Sequence, residues 1–212
     1  MITGHKRLRG AAWLVSGVAA VGFVGLGVVT SRYGEPAALQ ALQSVLADHA
    51  TLTAWRLTWF GFPQILALLA LALVVVAWRS RAWRMPSLFT VVMLVLCWQG
   101  ATLAQRLFMR ARPLDWVVKH ETSFSYPSSH AAIAVGFYLL WAFIIARSTL
   151  RGRWVWSGLL TALTLGICWS RLVLGAHFVT DLVGGALLAV AVVSAGVAVA
   201  PINVLGRRDV RT

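Results

Sequence analysis

The stretch FVTDLVGGALLAVAVVSAGVAVA, Phe178 to Ala200, decides the fold. It holds one acid, Asp181, and no base. As a helix it is long enough to cross the roughly 30 Å apolar layer of a bilayer. Working outward, the same reading applies to Trp154 to Ser170 and, with no charge in any of them, to Pro86 to Gln105, Phe60 to Trp78 and Ala11 to Val29. Ala131 to Ala146 is shorter but extends back over Ser128 and Ser129. Any one of these could be a buried helix of a soluble protein. Six of them in 212 residues, joined by short loops, leave no chain for a soluble core. The expected fold is all-α, a polytopic bundle of six transmembrane helices forming a single domain over residues 1–212.

Composition agrees. Apolar types make up 59% and charged types 12%, against about a quarter charged in soluble domains. The formal net charge of +13 suggests a nucleic-acid partner, but the hydropathy excludes a soluble nucleic-acid binder and a disordered chain alike. Cys97 and Cys168 both lie inside apolar runs, which argues against a disulfide framework and a metal cluster. They read as small buried hydrophobes.

An even number of spans puts both termini on one side. That side collects Lys6, Arg7 and Arg9; Arg79, Arg81 and Arg84; Arg147, Arg151 and Arg153; and Arg207, Arg208 and Arg211. The positive-inside rule makes it the cytoplasmic face. The opposite face receives Arg32, Arg56, Arg106, Arg110, Arg112, Lys119 and Arg171, an unusual number for an outside face. Trp55, Trp59 and Trp116 on that side, and Trp78, Trp83, Trp154 and Trp156 on the other, are placed as interfacial belts. The first run follows a basic leader, yet it is long for a signal peptide and no A-x-A site follows closely, so a retained anchor is expected. Beyond it, Leu39, Leu42 and Leu46 recur at helical spacing with Gln40, Gln43 and Asp48 between them. That pattern predicts a short amphipathic helix on the outer surface, either a guide for lipid or a plain connector.

Three polar segments reach the outer ends of the last four spans: Gln105 to Pro113, Tyr126 to His130, and Ser170 to Asp181. Topology alone gathers them on one face. In the third, His177 and Asp181 are four apart and share a helix face. A carboxylate there fixes the tautomer of an imidazole and stabilises its charged form, as a catalytic His requires. A structural His–Asp pair pinning two helices would have the same spacing. Arg171 is not on one helical face with His177, so the chain is expected to bend between them at Gly175. In the second segment, Ser128 and Ser129 after Pro127 signal a helix N-terminus, which favours anions, with His130 in its first turn. An ordinary cap would look the same. In the first, Arg106, Arg110 and Arg112 could contact lipid headgroups; Arg112, fixed beside Pro113, is the one expected in a site. Guanidinium groups grip phosphate oxygens with two bonds. Two imidazoles, an orienting acid, arginines and a helix N-terminus suit in-line attack on a phosphate monoester or diphosphate. The other outer acids, Glu35, Asp48, Asp115 and Glu121, are not at ligand spacing, so no metal is expected and cationic groups should stabilise the transferring phosphoryl group.

These segments resemble the motifs of the type 2 phosphatidic acid phosphatase superfamily of membrane lipid phosphatases. The family pattern is Lys-x6-Arg-Pro, Pro-Ser-x-His and Ser-Arg-x5-His-x3-Asp. Pro127, Ser128 and His130 match the second block; Ser170, Arg171, His177 and Asp181 match the third; Arg112 and Pro113 match the first. The first block departs at its Lys, where this chain has Gln105, and Arg106 is one residue late. The resemblance covers roughly residues 55–195. It implies a phosphohistidine on His177 oriented by Asp181, with His130 protonating the leaving oxygen and then activating water. Arg112, Arg171, Ser128 and Ser129 would hold the phosphate, with Arg106 as the candidate substitute for the missing cation. It implies no cofactor. The substrate would be a membrane lipid phosphate presented by the bilayer, with undecaprenyl diphosphate the first choice and phosphatidylglycerol phosphate or phosphatidate next. A lipid phosphotransferase and an inactive lipid-phosphate-binding relative are the alternatives, and a transporter lacks support because no internal repeat or broken mid-membrane helix is evident. The expected location is the bacterial inner membrane, with the site facing the periplasm. Gly184 and Gly185 permit close helix contact, within the chain or between two copies.

Overall fold

The structure is a computed structural model and describes residues 2–47, 51–113 and 122–205. Asp48, Asp115, Trp116, Lys119, Glu121, Arg207, Arg208 and Arg211, on which the sequence reading drew, lie outside the described residues.

Among the described residues every regular element is a helix. α1 (Ile2–Tyr33) carries the first apolar run. α2 (Ala37–Ala47) is the expected short helix. α3 (Thr51–Thr58) leads through a 3-10 turn at Trp59–Gly61 into α4 (Pro63–Arg79). Then come α5 (Arg81–Phe108), α6 (Ser129–Ala146, π-helical over Ala134–Leu139), α7 (Arg153–Val173) and α8 (Val179–Val199). Pro63 starts α4 at its first position, where a missing N–H costs nothing.

Among the described residues five helices are long and apolar enough to cross a membrane, or six if α3 and α4, bent by 48°, count as one span. The second expected span therefore differs in form. α4 alone has 17 residues, and the chain before it turns away at Phe62 and runs as α3 along α7. The apolar runs stay exposed on their outer sides: Leu14, Val18 and Val21 on α1, and Leu68 and Leu71 on α4, face outward as lipid contact requires. Trp78, Trp154 and Trp156 stand exposed at one end and Trp59 at the other.

α8 is the central element. It packs on α1, α5 and α6, and two adjacent glycines sit where neighbouring atoms come close. A methyl group on Gly185 would run into the carbonyl of Ser128, and one on Gly184 into the ring of Tyr126. The small residues of this span thus serve contact within the chain. At the end carrying Arg7, Arg79, Arg81, Arg84, Arg147, Arg151 and Arg153, Arg9 Nε donates to the Ala198 carbonyl at 2.6 Å and caps the last turn of α8. All three polar segments lie at the other end.

Candidate active site

The C-terminal turn of α7 builds the centre. Gly175 adopts φ +64°, the left-handed conformation that glycine reaches without strain. Its N–H donates to Leu172 O at 2.9 Å and that of Ala176 to Arg171 O at 3.0 Å. These are the paired bonds that close a helix with a Schellman turn. The turn folds the chain back, so that Arg171 and His177 face one region although they share no helical face. The bend falls at the expected glycine.

His177 is fully buried. Its Nδ1 faces Asp181 Oδ2 at 3.5 Å, and its Nε2 lies 3.0 Å from Arg112 Nη1. One ring nitrogen thus looks at an acid and the other at a phosphate-binding type of cation. Burial, with Arg112 and Arg171 adding to it, pushes the imidazole down to about 4 against the opposing pull of Asp181, so the ring is neutral at physiological pH. Arg112 is held on three sides: Nε donates to Ser123 O, Nη2 to Ser123 Oγ and Nη1 to Ala176 O, each at 2.7 Å. Arg171, 2% exposed, donates to Thr58 Oγ1 at 2.9 Å. Thr58 belongs to α3, which explains why that helix turns toward α7.

His130 enters from α6. Ser128 caps that helix: its hydroxyl accepts from the Ala131 N–H at 3.4 Å, and its own N–H donates to Asp181 O at 3.0 Å. The second bond ties the start of α6 to the start of α8. Ser129 is half-buried one residue before His130. The His130 ring is 8% exposed, and its Nε2 has no hydrogen-bond partner among the described residues. It lies within electrostatic reach of Arg171, His177 and Arg112, against Phe62 and against Gly61, where any side chain would strike it.

Behind the imidazole is a network that sequence reasoning did not find. Asp181 Oδ1 accepts from Arg110 Nη1 at 2.6 Å, and Oδ2 accepts from the Ser125 hydroxyl and from the Phe178 N–H at 2.9 Å. Arg110 continues through Nη2 to Glu35 at 3.0 Å, with its guanidinium 4.5 Å from the Phe178 ring centroid. Thr180 joins both ends, donating its hydroxyl and its N–H to Glu35 and accepting from Arg110 at 2.7 Å. Arg110 therefore serves inside the protein and not at lipid headgroups. Nothing in the spacing links Glu35 to Thr180, 145 residues away.

Three further placements depart from expectation. Arg106 is exposed between Leu103 and Leu107 on the outer side of α5, so it does not replace the motif Lys. Gln105 is buried and donates to the Pro127 carbonyl at 2.9 Å, holding the backbone that leads into Ser128. On α2 a polar residue faces inward: Gln43 is buried and donates to the His177 carbonyl at 2.9 Å, while Leu42 is half exposed. α2 thereby roofs a cleft of about 610 Å³ whose other walls include Arg112, Leu172 and Phe178. Among the described residues, no three His, Cys, Asp or Glu side chains gather as a metal ion requires.

Residues 87–204 match the family model described as PAP2 superfamily. Among solved structures the chain is similar to a transmembrane PAP2-type phosphatidylglycerolphosphate phosphatase from Bacillus subtilis. The TM-score is 0.69 at 19% identity, over 84% of this chain and 92% of that one, which is a likeness of fold. No curated protein matches the chain.

Proposed function

The chain belongs to the PAP2 superfamily, and from that premise we propose that it is an integral membrane phosphatase that cleaves a lipid phosphate or diphosphate through a phosphohistidine. One observation carries the reading. The neutral, buried His177 presents Nε2 to Arg112 while Nδ1 faces Asp181.

His177 Nε2 attacks phosphorus, and the bond from phosphorus to the lipid oxygen breaks. The leaving oxygen takes a proton from His130, whose Nε2 is the buried ring nitrogen without a partner. The N–P bond is then broken by water, which gives its proton to His130. Phosphate leaves and both rings return to their starting states. Asp181 balances the positive charge on the phosphorylated imidazole. Arg112, Arg171, the Ser128 hydroxyl and the N–H of Ser129 hold the phosphoryl oxygens, so the donors at the reacting centre are cations and dipoles. No cofactor enters these steps.

The substrate is an amphiphile whose phosphate sits at the membrane surface. The site lies at a helix end, next to the α2 cleft and opposite the basic end; with the basic end cytoplasmic, it faces outward across the bacterial inner membrane. Undecaprenyl diphosphate suits an outward site. Phosphatidylglycerol phosphate is the second reading, favoured by the name of the similar Bacillus subtilis structure. Phosphate release from a panel of both lipids and phosphatidate, in detergent with chelator, tests the proposal. Wild type should release phosphate from at least one lipid and His177→Ala from none. Activity that chelator removes and Mg²⁺ restores would contradict the mechanism.

A further inference from the structure

Asp181 is not a free carboxylate. Arg110 lies 2.6 Å from its Oδ1, and both side chains are buried, so the guanidinium sits in a medium that screens poorly. A neutral Asp181–Arg110 pair would offer little field to the positive charge that appears on His177 when its nitrogen bonds to phosphorus. Glu35 changes that sum. Its carboxylate, also buried, lies 3.0 Å from the second guanidinium nitrogen. It is fixed by both the hydroxyl and the N–H of Thr180, at the N-terminal turn of α8 where an anion is favoured.

From the chain Glu35–Arg110–Asp181–His177, we infer that Glu35 is a positioning residue for catalysis, keeping the cluster behind the nucleophile net negative so that Asp181 can stabilise the phosphorylated imidazole. Glu35 lies in the turn between α1 and α2, outside the residues that match the family model. Among the described residues the charged or titratable groups around His177 are Asp181 from α8, Arg112 from the segment after α5, Arg171 from α7 and His130 from α6. None of the last three supplies negative charge, so among these groups Asp181 is the one anion facing the ring once Glu35 is removed. The inference rests on the phosphatase reading above.

The test compares wild type, Glu35→Gln, Glu35→Asp and His177→Ala in detergent, on whichever lipid phosphate wild type hydrolyses, with kcat and KM measured from pH 3.5 to 8. Glu35→Gln keeps the shape and removes the charge. Its kcat should fall roughly 10- to 100-fold with KM within about two-fold, because the interaction is made in the transition state. Its acid limb should move down by roughly half a unit, because an anion near His177 has gone. Glu35→Asp should recover most of the lost kcat and restore the limb. An unchanged kcat in Glu35→Gln, or equal losses in the two variants with the limb unmoved, overturns the inference. If Glu35→Gln does not fold, Glu35→Asp decides: kcat within about five-fold of wild type supports the role of charge, and a larger loss overturns it. No phosphate release by wild type on any lipid would instead remove the phosphatase reading itself.

Discussion

Arg112 covers the nitrogen of His177 that the proposed reaction uses: its Nη1 stands 3.0 Å from Nε2, and the imidazole is fully buried. The guanidinium occupies the side from which a phosphate would approach. A bound phosphoryl group replaces this one contact, while the bonds of Arg112 to Ser123 and Ala176 can hold the fork in place. In the proposed reaction substrate would meet a preformed cation and an imidazole already oriented.

The pH profile follows from the same contact. Burial and the two guanidinium groups hold His177 down to about 4. The neutral imidazole is present above that value and is lost as pH falls through it. The kcat/KM of the free enzyme should therefore show an acid limb near pH 4. An acid limb at the ordinary histidine value, near 6.5, would count against the buried nucleophile.

Gly61 is the floor under His130. Gly61→Ala should push the ring out of position and lower kcat by roughly ten-fold or more, since misplacing a catalytic group is costly. Thermal unfolding should change by only a few degrees. Equal activity in the alanine variant would show that the ring is not held by this contact.

Two neighbours on α5 should behave oppositely. Gln105→Ala leaves the buried Pro127 carbonyl without its donor, at a cost of about 1–3 kcal/mol, and loosens the backbone before Ser128. Activity and unfolding midpoint should both drop. Arg106→Ala, on the exposed side, should stay within about two-fold of wild type in phosphate release. The reverse order would return Arg106 to the site.

Gly185→Ala places a methyl group against the Ser128 carbonyl, backbone that cannot swing aside. The expected cost is about 1–3 kcal/mol, read as a lower unfolding midpoint, with activity lost because α6 and α8 separate. A variant as stable as wild type would mean the two helices can shift apart without loss.

The convergence of His177, Asp181, Arg171 and His130 was legible because each placement depends on a short-range rule. The i, i+4 spacing, the glycine bend and the Ser cap are local, and parity of the spans then sets the segments at one end. Arg106 misled because a one-residue shift on a helix turns a side chain by about 100°, here from the buried position of Gln105 to the lipid side. Gln43 misled because hydropathy assigns a polar side chain to the outside, whereas a hydrogen bond to the His177 carbonyl satisfies it inside.

The sequence by itself determined that the chain is a helical membrane bundle with its polar chemistry at one end, since hydropathy and local spacing are properties of contiguous residues. Only the tertiary structure decided that Glu35 and Arg110 stand behind Asp181, and that α3 supplies Thr58 to Arg171. The reason is physical: a buried charge must find its partners wherever packing brings them, and those partners lie on helices far apart in the chain.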